Sequence, residues 1–159
     1  MFDDNLQIEL KYIKQKFNYC KNIPWSDIID KISHEYSNKT YCEYPIVIKL
    51  DKDKEFPPTF ILHNDYLPGK LQKVYNIMER KWKIKEMHVY TSLGANSTTF
   101  SRHCDRVDVL IVQSVGRMNY YIEGLGAIEC NPGDGILIPS GVYHTPYVVE
   151  PRITLSFSL

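Results

Sequence analysis

The chain has 159 residues, 43% of them apolar, and its 19 basic residues are balanced by 19 acidic ones. This length and composition predict one globular domain with its own hydrophobic core. The balanced charge argues against electrostatic capture of nucleic acid or of an anionic membrane, so neither is expected as a partner. The acidic start, Met1 to Asp4, lacks the apolar run of a secretory signal, and no stretch has the length and apolarity of a membrane span. We therefore expect a cytoplasmic protein.

Cysteine usage agrees with that compartment. The four cysteines lie far apart in the sequence and form no CxxC pair: Cys20, Cys42, Cys104 and Cys130. This spacing excludes a zinc ribbon and argues against a disulfide framework, so reduced thiols are expected.

The first part of the chain is predicted to be mainly helical. Apolar side chains share one face of a first helix, and lysines occupy the other. These apolar residues are Leu6, Leu10, Ile13 and Phe17. After Pro24, Ser26 or Asp27 is expected to cap a second helix. Its apolar residues are Ile28, Ile29, Ile32 and Tyr36.

A third helix is predicted to begin at Pro68-Gly69. Its apolar residues recur at helical spacing and are interpreted as core. They are Leu71, Val74, Tyr75, Met78 and Trp82. Residues 45–50 and 59–62 predict two strands, separated by a charged loop at residues 51–58.

The second half of the chain consists of short apolar runs separated by turn residues, a pattern typical of strands. The predicted strands span residues 84–92, 107–113, 117–122, 127–130, 135–139, 142–146 and 152–159, with a loop at 93–98. Gly116, Gly133 and Gly141 are interpreted as turn residues. Short, closely spaced strands after a helical first part fit a jelly-roll barrel.

His103 and Asp105 are two residues apart just before one of these strands. On an extended backbone such side chains point to the same face, so the pair can hold an ion. Most metals need a third ligand, and we expect His144, which follows a Pro-Gly-Asp turn. Two imidazoles and one carboxylate that leave open positions are typical of non-haem Fe(II) oxygenases. The alternative is that His103 and Asp105 only hydrogen-bond each other at the surface while His144 caps a turn.

The ordered motifs of this region resemble those of the cupin and JmjC-like branch of the Fe(II)- and 2-oxoglutarate-dependent oxygenases. The motifs are His103-x-Asp105, Asp108-Val109, Gln113, Gly116-Arg117, the turn and strand at 132–144, and the closing strand at 152–157. The resemblance covers about residues 85–159. It implies a double-stranded β-helix with N-terminal α-helices, forming a single domain over 1–159. Residues 1–82 would supply the helical layer and the first strands, and 84–159 the metal-binding jelly-roll core.

The resemblance also implies a cation that neutralises the far carboxylate of 2-oxoglutarate. In the JmjC-like branch this cation commonly follows the position of Arg117, where this chain has Met118. Arg152, with Thr154 two residues further on the same strand face, is the alternative, because many other 2-oxoglutarate oxygenases use Arg-x-Ser or Arg-x-Thr there. Arg152 could also be an ordinary surface residue of its strand, and Arg117 could simply pair with an acidic loop.

Several polar and aromatic residues flank the motif strands. Tyr120 shares the strand face of Met118, and is the best candidate among the tyrosines for contacting the cosubstrate. The other tyrosines are Tyr90, Tyr143 and Tyr147. Gln113 and Asn119 are also placed near the pocket.

The remaining histidines have plainer interpretations. A second His-x-Asp, His63 with Asp65, is interpreted as structural, with Asp65 in a turn or capping role. His34 is expected to be solvated on its helix. For His88, on the strand before the motif, a core or surface role is favoured, and an approach to the site is the alternative.

The resemblance therefore implies an Fe(II)- and 2-oxoglutarate-dependent dioxygenase, with hydroxylation of a small molecule or of a peptide or protein side chain as the default reaction. No catalytic residue is expected beyond the metal ligands. Two alternatives stay open: a cupin-fold binding module without catalysis, and a metal-dependent cupin enzyme that does not use 2-oxoglutarate. The expected partner is the substrate itself, and the chain is compatible with a homodimer.

Overall fold

The computed structural model describes residues 8–38 and 59–159. Within them the chain is mainly β, as predicted, with two α-helices and one 3-10 turn at Asn18–Cys20. The helices are α1 (Trp25–Asn38) and α2 (Gly69–Trp82). The strands are β1 (Lys11–Ile13), β2 (Thr59–Leu62), β3 (Glu86–Ser92), β4 (Val109–Val115), β5 (Met118–Ile122), β6 (Gly126–Cys130), β7 (Gly135–Ile138), β8 (His144–Val148) and β9 (Arg152–Ser158).

The strands form two antiparallel sheets. The large sheet has six strands in the order β1-β7-β4-β9-β3-β2, and the small sheet has three in the order β6-β5-β8. Strand β9, the last in the chain, lies between β4 and β3 in the middle of the large sheet. The predicted strands of the second half are therefore present, with bounds shifted by one or two residues.

Alternation along β9 gives the large sheet two unlike faces. Ile153, Leu155 and Phe157 are fully buried in a core that also contains the inward faces of α1 and α2. Arg152, Thr154, Ser156 and Ser158 point to the opposite face, where they line a cavity. Because strand side chains alternate between faces, this seven-residue strand covers the helical layer with apolar groups and the cavity with polar ones.

A second core lies between the two sheets. It joins Val109 and Ile111 of β4 with Met118, Tyr120 and Ile122 of β5. Contributions also come from Cys130, Ile136, Ile138 and Val148. Val109, Ile111 and Tyr120 of this second core also line the cavity, so the cavity adjoins the core between the sheets.

The predicted first helix is wrong for the described residues, because Lys11–Ile13 is a strand that pairs with β7. Its apolar residues do not share one face. Leu10 packs against the core between the sheets, whereas Ile13 and Phe17 pack against the core beneath the helices. Pairing with the edge of the large sheet therefore outweighs the helical spacing of the sequence. Leu6 lies outside the described residues.

The second helix is present, but its expected cap is not. The helix begins at Trp25, so Ser26 and Asp27 lie in its first turn. The carboxylate of Asp27 instead accepts a hydrogen bond of 2.7 Å from the backbone N–H of Lys70, in the first turn of α2. Ile28 is buried and Ile29 is exposed. The side chain of Tyr36 lies outside the described part.

The third helix is confirmed as predicted, with Leu71, Val74 and Met78 buried. The strand at 59–62 is also present as β2. The strand predicted at 45–50, the loop at 51–58 and Cys42 lie outside the described residues. Cys20, Cys104 and Cys130 are free thiols, in agreement with the prediction. Among the described residues there is no helix with the length and apolarity needed to cross a membrane.

Candidate functional site

The structure brings His103, Asp105 and His144 together at one wall of the cavity. His144 is the first residue of β8, and His103 lies in the segment before β4. The backbone N–H of His103 donates to the carbonyl of His144 at 3.1 Å, and the N–H of His144 donates to the carbonyl of His103 at 2.8 Å. This isolated bridge holds two residues that are distant in sequence side by side.

The ligand atoms of the three side chains all lie within 4.8 Å of one another. Nε2 of His144 is 3.6 Å from Oδ2 of Asp105, and the two imidazole centroids are 4.3 Å apart. Nδ1 of His103 lies 2.8 Å from the carbonyl of Ser101, and Nδ1 of His144 lies 3.2 Å from that of Val142. Since a carbonyl only accepts, the neutral form of each imidazole carries its proton on Nδ1, which leaves the lone pair of Nε2 for a metal.

Burial favours the neutral form of one of these imidazoles. His144 is almost completely buried, and this burial lowers its pKa below the ordinary value. The nearby imidazole of His103 acts in the same direction, and the carboxylate of Asp105 opposes it. A neutral imidazole is the form that ligates metals. Whether the three residues hold an ion stays a prediction.

The cavity has a volume of about 340 Å³, at the small end of the range for ligand pockets. One wall carries the three candidate ligands. The opposite wall is the polar face of β9 and the adjoining face of β3, including His88 and Tyr90. Phe100 and Pro146 close part of the side.

Arg152 is the buried cation of this cavity, with only 3% of its surface exposed. Nε donates to Oγ of Ser92 at 3.0 Å, and Nη1 donates to Oγ1 of Thr154 at 3.1 Å. Thr154 in turn donates to Oε1 of Gln113 at 2.8 Å. No carboxylate of the residues that the structure describes lies within ion-pair distance of Arg152. Burial lowers its pKa, but from so high a starting value that the guanidinium stays charged.

Arg117 and Met118 occupy different environments. Arg117 is half exposed and forms ion pairs of 3.5 Å with both Glu129 and Glu150. Met118 is completely buried in the core between the sheets and is not part of the cavity wall. The position after Arg117 therefore contributes packing. Two arginines line the cavity, the exposed Arg106 and the buried Arg152, so the buried cation that faces it is Arg152.

The tyrosines divide into two groups. Tyr90 and Tyr120 line the cavity, whereas Tyr143 and Tyr147 are exposed. Burial raises the pKa of Tyr90 to about 12 and also raises that of Tyr120, so both phenols keep their protons at neutral pH.

Gln113 and Asn119 do not line the cavity. Gln113 is buried behind the wall, where its amide nitrogen donates to the carbonyls of Val115 and Gly116 beside a register shift in β4. Its role in the structure is to hold Thr154. Asn119 lies opposite Glu129 on β6 and Tyr147 on β8, away from the cavity.

The other histidines have varied surroundings. Asp65 forms an ion pair of 3.2 Å with the buried Lys31, and His34 stacks on Tyr66. His88 lines the cavity, which was the less favoured alternative in the sequence analysis, and burial lowers its pKa. His63 meets His88 edge to face, with a centroid separation of 4.6 Å.

The turn before β7 is held by Asp134, a fully buried carboxylate. It accepts hydrogen bonds from the hydroxyl of Tyr12 at 2.8 Å and from the backbone N–H groups of Gln15 and Asn131 at 2.9 Å. Burial opposes its charge, but these donors outweigh burial and lower its pKa. Asp134 therefore fixes β1 and its following loop to the turn that leads toward His144.

Ser92 is a buried polar residue beside the site that the sequence analysis did not name. It lies opposite Arg152 in the β3–β9 register and accepts the hydrogen bond from its guanidinium. The strand pattern at 84–92 places Ser92 on one face of a strand. That pattern does not show which strand lies next to it, so it could not predict the contact between Ser92 and Arg152.

Comparison of the fold with solved structures finds the ribosomal oxygenase YcfD of Escherichia coli among the neighbours. Its complex with cobalt and succinic acid matches with a TM-score of 0.55 at 21% identity, over 70% of this chain and 34% of YcfD. Its complex with cobalt and 2-oxoglutarate matches with a TM-score of 0.54 at 19% identity, over 70% and 35% of the two chains. This chain thus spans about a third of the length of these neighbours.

The likeness to YcfD is one of fold, and it agrees with the β-rich fold that the motif resemblance implies. No family model matches the sequence. No curated protein matches it.

Proposed function

We propose that this chain is an Fe(II)- and 2-oxoglutarate-dependent dioxygenase built on a double-stranded β-helix, with residues 1–159 as one domain. The reaction converts a substrate C–H bond, O₂ and 2-oxoglutarate into a C–OH group, succinate and CO₂. The observation that carries the proposal is the buried, charged Arg152 in the same cavity as His103, Asp105 and His144. A cation and an open metal site facing one small cavity suit a keto acid with a second carboxylate.

The donor set fits iron. Two neutral imidazole nitrogens and one carboxylate oxygen leave further coordination positions for small ligands. When bound, iron supplies the redox chemistry that couples oxygen to oxidation of the keto acid. The protein's part is to orient the three ligands, which the carbonyls of Ser101 and Val142 do for the two imidazoles.

Arg152 supports cosubstrate binding through the energetics of a buried charge. A buried guanidinium without an ionic partner among the described residues is costly, and a ligand carboxylate would offset that cost. Charged hydrogen bonds in a desolvated cavity are stronger than in water. Tyr120 keeps its phenol proton and can donate to the same carboxylate. Because Thr154 donates to Gln113 and accepts from Arg152, we assign it the role of orienting the guanidinium.

The cavity volume of about 340 Å³ favours a small substrate or a single side chain of a peptide or protein. The wall beyond the cosubstrate site carries Tyr90, His88 and Phe100, which offer both ring contacts and hydrogen bonds. A cytoplasmic location, the homodimer and the absence of nucleic acid or membrane partners stay predictions.

The test is formation of succinate from 2-oxoglutarate with Fe(II), oxygen and ascorbate as reductant, in the absence of substrate. We expect slow turnover with iron, and none with manganese or with Asp105→Ala. Asp105 is 39% exposed, so the variant should fold, which its thermal unfolding would verify. Equal succinate in all three reactions would contradict the proposal and favour the binding module.

A second measurement separates cosubstrate binding from turnover. Anaerobic Fe(II) protein should develop a metal-to-ligand charge-transfer band on titration with 2-oxoglutarate. Iron binding without this band would favour the metal-dependent cupin enzyme that does not use 2-oxoglutarate.

A further inference from the structure

Strand pairing brings together a second group of metal-ligating side chains, which shares no residue with the first. In the β2–β3 register, Leu62 lies opposite Val89. His63, the next residue after β2, therefore comes opposite His88, and their rings are 4.6 Å apart. Glu86 precedes His88 by two positions and so points to the same face of β3.

The three side chains offer one ligand atom each, and these atoms lie within 4.8 Å of one another. Nε2 of His88 is 3.3 Å from Oε1 of Glu86. An ion pair between His88 and Glu86 would explain this distance, but it would not explain why His63 also lies beside them. Two imidazoles and a carboxylate that converge from two strands match the donor set of a three-ligand zinc site.

We infer that His63, Glu86 and His88 form a second binding site for a divalent transition-metal ion, separate from the site at His103, Asp105 and His144. The two clusters share no residue. Together they use four of the five histidines of the chain, and His34 is the remaining one. Glu86 is half exposed and His88 is about a quarter exposed, so an ion can reach the site from solvent.

The second site faces the same cavity at a distance from Arg152. Glu86 and His88 line the cavity, and in the β3–β9 register they lie opposite Ser158 and Ser156. Arg152 lies opposite Ser92, four residues further along β3. At about 3.3 Å per residue this separation is about 13 Å. Three protein ligands leave a coordination position for water or an anionic oxygen of a molecule in the cavity.

Cobalt binding tests this inference directly. Chelator-treated protein is titrated with Co²⁺ under nitrogen, with stoichiometry from calorimetry and ligand geometry from visible absorption. We expect two ions per chain for the parent, one for His63→Ala, one for His103→Ala and none for the double variant. His34→Ala, which removes a histidine outside both clusters, should still bind two.

The same number of bound ions in His63→Ala as in the parent would overturn the second site, whatever that number is. A single ion in the parent that is lost in His63→Ala and kept in His103→Ala would support the second site and contradict the first. The circular dichroism spectrum and thermal unfolding of His63→Ala are measured alongside, so that a lost ion is assigned to the lost ligand. The outcome is independent of the proposed oxygenase activity, because His63→Ala should still bind Fe(II) at the first triad and develop the charge-transfer band with 2-oxoglutarate.

Discussion

His103 and His144 exchange two backbone hydrogen bonds, so each imidazole is placed by the backbone of the other. These bonds do not depend on the side chains. Substitution of either imidazole should therefore remove a ligand while β8 stays paired with β5.

The first prediction concerns iron at this triad. His103→Ala should weaken Fe(II) binding there by more than about 100-fold, since losing even an outer partner of a metal ligand costs about 10–100-fold. The chelated parent should stay folded, because the two cores do not include the ligands. Anaerobic calorimetry and thermal unfolding measure both effects, with His34→Ala as the control. Unchanged iron affinity in His103→Ala would refute the ligand assignment.

The second prediction concerns the cation. Arg152→Ala should leave iron binding nearly intact and weaken 2-oxoglutarate binding by about 2–5 kcal/mol, the loss of a buried charged pair. The affinity of Arg152→Lys for 2-oxoglutarate should lie between those of the parent and Arg152→Ala, because lysine keeps the charge without the planar guanidinium. Arg117→Ala should have little effect, since Arg117 pairs with Glu129 and Glu150. Titration of the charge-transfer band gives each affinity. Equal losses at Arg152 and Arg117 would contradict the assignment.

The third prediction concerns pH and Asp134. Its pKa is lowered in the folded protein, so its charged form stabilises the fold above the unfolded pKa of about 4. This contribution is lost as the pH falls through the folded value. Asp134→Asn should lower the free energy of unfolding by about 1–3 kcal/mol at pH 7. The difference from the parent should shrink below about pH 4. Urea unfolding across pH measures it, and a difference independent of pH would refute the role of the charge.

The fourth prediction uses two glycines with similar backbone angles. Gly116 and Gly126 have φ values of +70° and +84°. A Cβ at Gly116 would collide with the carbonyl of Pro151 and lie 3.3 Å from Cα of Arg152, whereas a Cβ at Gly126 would meet nothing within 4 Å. Gly126→Ala should cost about 1–2 kcal/mol for the left-handed backbone alone.

Gly116→Ala should cost at least about 1 kcal/mol more than Gly126→Ala, because overpacking adds to the backbone strain. It should also weaken 2-oxoglutarate binding by displacing Arg152. Thermal unfolding and the charge-transfer titration of both variants test this. Equal stability of the two variants would show that the turn relaxes around the added methyl group.

The strands and the pair His103 and Asp105 were accessible from the sequence because their signals are local, whereas His144 was expected beside them only through the predicted jelly-roll fold. Alternation in residues 152–158 marks a strand with one polar face, and the His-x-Asp spacing places two ligands together. The prediction of the first helix was wrong because Leu10, Ile13 and Phe17 have helical spacing yet pack against different cores. Their placement depends on pairing between β1 and β7, more than a hundred residues apart.

Long-range register also explains the missed partners. His63 and Asp65 are two residues apart in the sequence, but His63 meets His88 across two strands and Asp65 meets Lys31. Ser92 and Arg152 likewise come together only through the β3–β9 register. Spacing reveals neighbours along one strand, whereas neighbours across strands follow from a pairing that no single segment encodes.

The guanidinium of Arg152 is fastened to residues on three adjacent strands, through Ser92 on β3, Thr154 on β9 and, behind it, Gln113 on β4. Because these hydrogen bonds hold the guanidinium in place, it should not move to meet a shorter ligand or to make room for a longer one. The cavity should therefore select keto diacids by chain length and bind the five-carbon 2-oxoglutarate more tightly than oxaloacetate or 2-oxoadipate. Gln113→Ala removes the acceptor that holds Thr154, although Gln113 does not line the cavity. This substitution should weaken the discrimination between keto diacids of different chain length.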